Sequence, residues 1–154
     1  MLQTPQAIVS DTSCLILLEK IGALDLLKGL FGTVLTTPEV EKEFGHSLPN
    51  WFTIVETTDK KYQTIIETTV DKGEASTIAL AMELKDCLLI IDDKKGRILA
   101  TQLGLTITGT IGILLRAKQT GLILELKPIL EKIKKTNFRI TSRLESLILK
   151  QAGE

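Results

Sequence analysis

Two short apolar runs end in aspartate: Ala7-Ile8-Val9-Ser10 leads into Asp11, and Cys87-Leu88-Leu89-Ile90-Ile91 leads into Asp92-Asp93. A buried parallel strand delivers the residue after it to the carboxyl edge of its sheet, where α/β proteins bind ligands. Carboxylates gathered at such an edge repel one another unless a cation or a shared proton relieves them, so their grouping implies chemistry. Glu74 lies four residues before Ile78 and seven before Ala81, which on a helix puts it on the flank of inward-packing residues. Glu43 follows Val40 by three residues and precedes Phe44, so it borders the apolar side of a short helix.

Each acid also has a plainer use. Asp11 could cap the next helix, and Glu74 could be a first-turn acid favoured by the helix dipole at ~0.3–1 kcal/mol. Glu43 could be one of several solvated acids beside Glu39 and Glu41, and Asp92-Asp93 could form a turn and a helix cap. Taken together, the acids suit Mg2+ or Mn2+, hard cations that take oxygen ligands and keep several waters. Such ions acidify a bound water and stabilise a phosphodiester transition state, so metal-assisted phosphodiester hydrolysis is the expected chemistry. Lys94, Lys95 and Arg97 follow the aspartate pair and could offset its charge or contact phosphate. His46, the only histidine, lies in a Gly/Pro-flanked loop and reads as solvated.

The elements that must position these residues alternate between strand and helix periods. Ala7 to Ser10 reads as a first strand, and a helical region runs from Ser13 to Leu30 until Gly32 stops it. Val34-Leu35 is a second strand, and Thr37 caps a short helix with Pro38 in its first turn and Gly45 at its end. Trp51 to Glu56 is expected as a third strand, Lys60 to Thr69 as a polar helix, and Glu74 to Leu84 as a stronger helix opened by Gly73. Leu88 to Ile91 forms a fourth strand, Gly96 to Leu103 a helix ended by Gly104, and Leu105 to Thr108 a fifth strand. Thr110 is expected to cap a helix that Gly121 ends, Pro128 to start another, and Ser142-x-x-Glu145 to form a capping box for the last.

This alternation specifies a parallel sheet covered on both faces and joined by right-handed crossovers. A strand order of 3-2-1-4-5 would make strands one and four neighbours at the switch point, with Asp11 facing Asp92 and Asp93.

The 154 residues, 44% apolar, suffice for one aliphatic core, and a zero net charge excludes a uniformly basic nucleic-acid coat. The charge is uneven, however: residues 128–154 carry +3 and the remainder −3. Cys14 and Cys87 sit in apolar runs and read as core residues. No stretch approaches the ~20 apolar residues of a membrane span, and no secretory leader pattern opens the chain, so a cytoplasmic, reduced protein is expected.

Five motifs together resemble the PIN-domain ribonucleases of the VapC-like prokaryotic branch. They are Asp11-Thr12-Ser13, Thr37-Pro38-x-Val40-x-x-Glu43, Gly73-Glu74-Ala75, Ile91-Asp92-Asp93 with Arg97, and Gly104-Leu105 leading to Gly109-Thr110-Ile111-Gly112. The resemblance implies a three-layer α/β/α core over residues 1–127, with a five-stranded parallel sheet of order 3-2-1-4-5. A C-terminal helical extension over 128–154 would pack on the same domain. It further implies an acidic pocket for Mg2+ or Mn2+ and cleavage of RNA. Asp11, Glu43, Glu74 and Asp92 match the family's site acids, Asp93 replaces or supplements Asp92, and Ser13 and Thr110 match supporting hydroxyls. Many members are toxins that form homodimers and are neutralised by an antitoxin. Two alternatives stand beside this. One is a PIN-like module that binds RNA or protein without cutting. The other is a phosphoacceptor of the receiver kind, which would need its acidic pair after the first strand and a lysine after the fifth; here the pair follows the fourth, and Thr108-Gly109-Thr110 follows the fifth.

Overall fold

A computed structural model describes residues 6–154. In chain order its elements are β1 (Ala7–Ser10), α1 (Thr12–Lys20), α2 (Asp25–Phe31), β2 (Val34–Thr36), α3 (Pro38–Phe44), β3 (Phe52–Ile54) and α4 (Lys60–Ile66). These are followed by α5 (Lys72–Glu83), β4 (Cys87–Ile90), α6 (Lys94–Gln102), β5 (Thr106–Thr108), α7 (Thr110–Gln119), α8 (Lys127–Lys134) and α9 (Ser142–Gln151). All four ladders are parallel, and the sheet order is β3-β2-β1-β4-β5, as the resemblance implied.

The two-residue period of the strands divides the core into two layers. Ile8, Leu88 and Ile90 face one side, where they meet Leu15 and Leu18 of α1, Ile113 and Leu114 of α7, Leu130 and Ile133 of α8, and Ile148 of α9. Val9, Leu89 and Ile91 face the other, against Ile66 of α4, Ala75, Ile78 and Ala79 of α5, and Ala100 of α6. β1 and β4 are the central strands, and every residue of β4 is buried. A strand covered on both faces has no polar side to display, which is why Cys87 to Ile91 is uniformly apolar. Both cysteines are free and buried, as their settings suggested.

Several local expectations change. The helical region after β1 is two helices rather than one, because the chain turns at Gly22 (φ +70°), a conformation that costs glycine little. β3 spans only Phe52–Ile54 and ends where Val55 donates to the Thr36 carbonyl. Thr110 does not cap α7: Gly109 holds the N-cap position and Thr110 is the first helical residue. The cap of α9 is Thr141, whose hydroxyl accepts from the Leu144 amide, while Glu145 is drawn into an ion pair with Lys134 at 2.8 Å. With Thr141 in the N-cap position, Ser142 is the first helical residue and the expected Ser142–Glu145 box is not made.

Candidate functional site

β1 and β4 run side by side with Ser10 opposite Ile90, so the residues after them leave the sheet together at its switch point. The Asp11 amide donates to the Ile90 carbonyl and the Ile91 amide to the Thr108 carbonyl, extending the ladder by a residue on each side. Below this edge is a layer of buried hydroxyls. Thr36 Oγ1 donates to the Ser10 carbonyl at 2.8 Å, and the hydroxyls of Thr37 and Ser76 share a bond of 2.7 Å that ties the start of α3 to α5.

Asp11 is 2% exposed, and its Oδ1 is buried without a hydrogen-bond partner. Burial pushes its carboxyl up to about 7; the Thr12 amide opposes this, and the charges of Asp71, Glu43 and Asp92 reinforce it. Glu74, also buried, is pushed up to about 8 by burial and then by the charges of Asp71, Asp11 and Asp93. The carboxylates of α3, α5 and the β4–α6 turn therefore act on one another across the mouth of the crevice.

The remaining acids are held by specific partners. Glu43 accepts from the Thr12 hydroxyl at 2.6 Å, a bond between residues 31 apart in sequence. It also lies so close to Gly73 that a Cβ there would collide with its carboxylate. Gly73 is thus the point at which α5 lets α3 bring in an acid. Asp92 is half-buried and accepts twice from Thr110: from the amide at 2.9 Å and from the hydroxyl at 2.5 Å. A Cβ at Gly109 would stand 2.6 Å from Asp92 Oδ1, so this approach also requires glycine. Cys14 lies buried beneath, its thiol pushed up by burial and by the Asp92 charge and pulled the other way by a bond to Thr110.

The structure brings Asp11, Glu43, Glu74 and Asp92 to one edge and separates the adjacent aspartates. Asp93 is exposed and caps α6 by accepting from the Gly96 amide at 3.0 Å. Ser13 is exposed; among the described residues no hydrogen bond joins it to Asp11, and Thr12 supplies the hydroxyl that the site uses. Lys94 and Lys95 are exposed on the first turn of α6. Arg97 is half-buried and donates from Nη1 to the Ile91 carbonyl at 2.8 Å, which braces the turn that carries Asp92. His46 is exposed and pairs with Glu19. One acid was missed in the sequence. Asp71 accepts from the Glu74 amide at 2.9 Å while Glu74 Oε1 accepts from the Asp71 amide, a capping box that fixes Glu74 at the crevice. The pattern Asp71-x-x-Glu74 was its signal.

The donor set is all oxygen, and the orphaned Asp11 Oδ1 points to a missing partner of positive charge or a proton, so the residues fit a hard divalent cation. Among the described residues no three acidic, imidazole or thiol groups already stand at ion-holding separation. Glu43, Glu74 and Asp92 are instead engaged by Thr12, Asp71 and Thr110.

The fold and the site define a doubly wound α/β protein with an acidic crevice at its switch point. Residues 7–154 match the family model described as a PIN domain, and the chain belongs to the PIN-domain family. PIN domains are generally nucleases. No protein of curated function matches the chain. Among the described residues no helix is long and apolar enough to cross a membrane.

Proposed function

We propose that this protein is a ribonuclease of the VapC-like toxin type, working in the cytoplasm as a homodimer under the control of an antitoxin, and dependent on Mg2+ or Mn2+. The observation that carries the reading is the buried, unpartnered Oδ1 of Asp11 among like charges. A carboxylate in that setting is neutralised by a proton or by a cation, and an all-oxygen surround favours the hard divalent ions.

Asp11, Glu74 and Asp92 would hold the ion, with Glu43 the fourth acid of the site. When bound, the ion supplies an acidified water as nucleophile and positive charge against the phosphodiester oxygens. The chain's own residues set the stage. Thr110 fixes the Asp92 carboxylate through two hydrogen bonds, Thr12 aims Glu43, and Asp71 anchors Glu74 at the first turn of α5. Asp93, which caps α6, raises the negative charge felt by Glu74 without sharing its position. Lys94 and Lys95 offset the acidic mouth toward an incoming phosphate, while Arg97 acts by bracing the Asp92 turn.

A second reading is an RNA- or protein-binding module that does not cut, favoured by the separate engagement of Glu43, Glu74 and Asp92. One experiment divides the two. Purified protein is incubated with single-stranded and structured RNA in Mn2+ or EDTA, beside Asp11→Asn. The nuclease reading expects cleavage by the wild type in Mn2+ alone. Equal cleavage by both proteins, or none with any metal, would refute it.

A further inference from the structure

The acidic mouth poses a problem for a nuclease, since its carboxylates repel the polyanion they are to cut. Lys94 and Lys95, together with a bound ion, offset that repulsion at the reacting centre, and contacts away from it are the further source of binding energy. α1 leads from the crevice to such contacts. Thr12 lies in the site, and the next residue, Ser13, opens a surface groove of about 270 Å³ that continues past Ile16 and Leu17 to Lys20, with Asn137 and Phe138 as its opposite wall. Lys20 also lines a second depression of about 540 Å³, where Lys132 and Lys135 join it.

Residues 13, 16, 17 and 20 share one face of α1 at helical spacing, so the groove follows the helix for about 10 Å at 1.5 Å per residue. Among the described residues Lys20, Lys132 and Lys135 take part in no ion pair, whereas nearby Lys134 is held by Glu131 and Glu145. Three ammonium groups outside any ion pair among the described residues thus stand at Lys20 and in the depression beyond it, at the far end of a groove that begins at Ser13, two residues after Asp11. Their far wall belongs to the segment that carries the chain's positive excess. Phe138 is half-buried and presents an aromatic surface along the way. A cationic track with an aromatic wall is the arrangement that holds unpaired nucleic acid, phosphates on lysine and bases on the ring.

We propose that this groove binds single-stranded RNA continuing from the scissile phosphate, with backbone phosphates on Lys20, Lys132 and Lys135 and a base against Phe138. The proposal rests on the nuclease reading for its substrate. Its length suits about three stacked nucleotides at about 3.4 Å each.

The test measures binding of a labelled short single-stranded RNA by fluorescence anisotropy in EDTA, so that no cleavage intervenes. The triple variant Lys20→Ala/Lys132→Ala/Lys135→Ala is expected to bind at least about tenfold more weakly, with the salt dependence reduced by about three phosphate contacts' worth of slope, at ~0.7 per contact. Phe138→Leu keeps the apolar packing and removes the ring, and a loss of about fivefold or more is expected. Duplex RNA of the same sequence should be affected less by Phe138→Leu. Unchanged affinity and salt slope in the triple variant would overturn the proposal, as would binding of an acidic peptide in preference to the RNA. The two readings fail separately. A wild type that cleaves RNA in Mn2+ while the triple variant binds and cleaves equally well removes the groove and keeps the nuclease. A wild type that never cleaves, yet loses RNA on the triple substitution, removes the nuclease and keeps the groove.

Discussion

Replacing Asp11 with asparagine should stabilise the metal-free protein at neutral and alkaline pH. The carboxyl has its pKa raised from 3.8 to about 7 in the fold. Between those values the native state binds more protons at this residue than the unfolded chain does, so stability falls as pH rises through the window. The contribution is fully present below about pH 4 and lost above about pH 7. Each pH unit crossed is worth about 1.4 kcal/mol, which makes the full loss as much as about 4 kcal/mol. Asparagine has nearly the same shape and never ionises, so Asp11→Asn escapes the loss. Glu74 titrates in the same direction in both proteins, and the part of its shift that comes from the Asp11 charge is also relieved in the variant, which reinforces the effect.

The assay is thermal unfolding in EDTA, followed by far-ultraviolet circular dichroism. The two proteins should melt together near about pH 4, and the variant should melt higher near about pH 8, by about 8–16 °C if 1 kcal/mol moves a domain of this size by about 2–4 °C. Adding Mn2+ should raise the wild type and leave the variant nearly unmoved, because a ligand that binds only the folded state stabilises it by mass action. Equal melting at every pH, or a variant less stable at alkaline pH, would refute the claim that an uncompensated carboxylate is buried here.

Gly73→Ala should destabilise the fold by about 1–3 kcal/mol in chemical denaturation, since the new Cβ meets the Glu43 carboxylate; elsewhere in a helix the same change would stabilise by about 1 kcal/mol, so the sign is diagnostic. Thr110→Val removes the hydroxyl that donates to Asp92, and Mn2+-dependent cleavage should drop at least about tenfold for the loss of about 1.5–3 kcal/mol, with Thr110→Ser retaining most of it. Asp71→Asn keeps an N-cap acceptor for α5 and removes the charge felt by both Asp11 and Glu74. Its melting temperature in EDTA should rise near neutral pH, while its affinity for Mn2+, read by calorimetry, should fall.

Much of the architecture is local and could be read from the chain. The uniformly apolar strand before Asp92, the Thr37-Pro38 start of α3 and the Gly32, Gly45 and Gly104 stops are each fixed by a few neighbouring residues. The same locality placed Asp11 and Asp92 at strand ends. Where a local pattern pointed elsewhere, tertiary contacts differ from it: the spacing of Ser142 and Glu145 suggested a capping box, whereas Thr141 caps α9 and Glu145 pairs with Lys134, eleven residues upstream.

The sequence by itself determined that parallel strands would carry aspartates to a common edge, because burial on both faces of β1 and β4 demands the apolar runs that precede them. Tertiary structure alone decided how those acids are held. It turns Thr110 from a helix cap into the partner of Asp92, eighteen residues away, brings Glu43 to Thr12 across the face of Gly73, and assigns Asp93 to α6. Such bonds join residues distant in sequence, and their geometry follows from how α3, α5 and α7 pack about the sheet edge, which no local pattern encodes. The charge on Asp11 is likewise a property of the assembled crevice, arising from burial and from acids that other elements contribute.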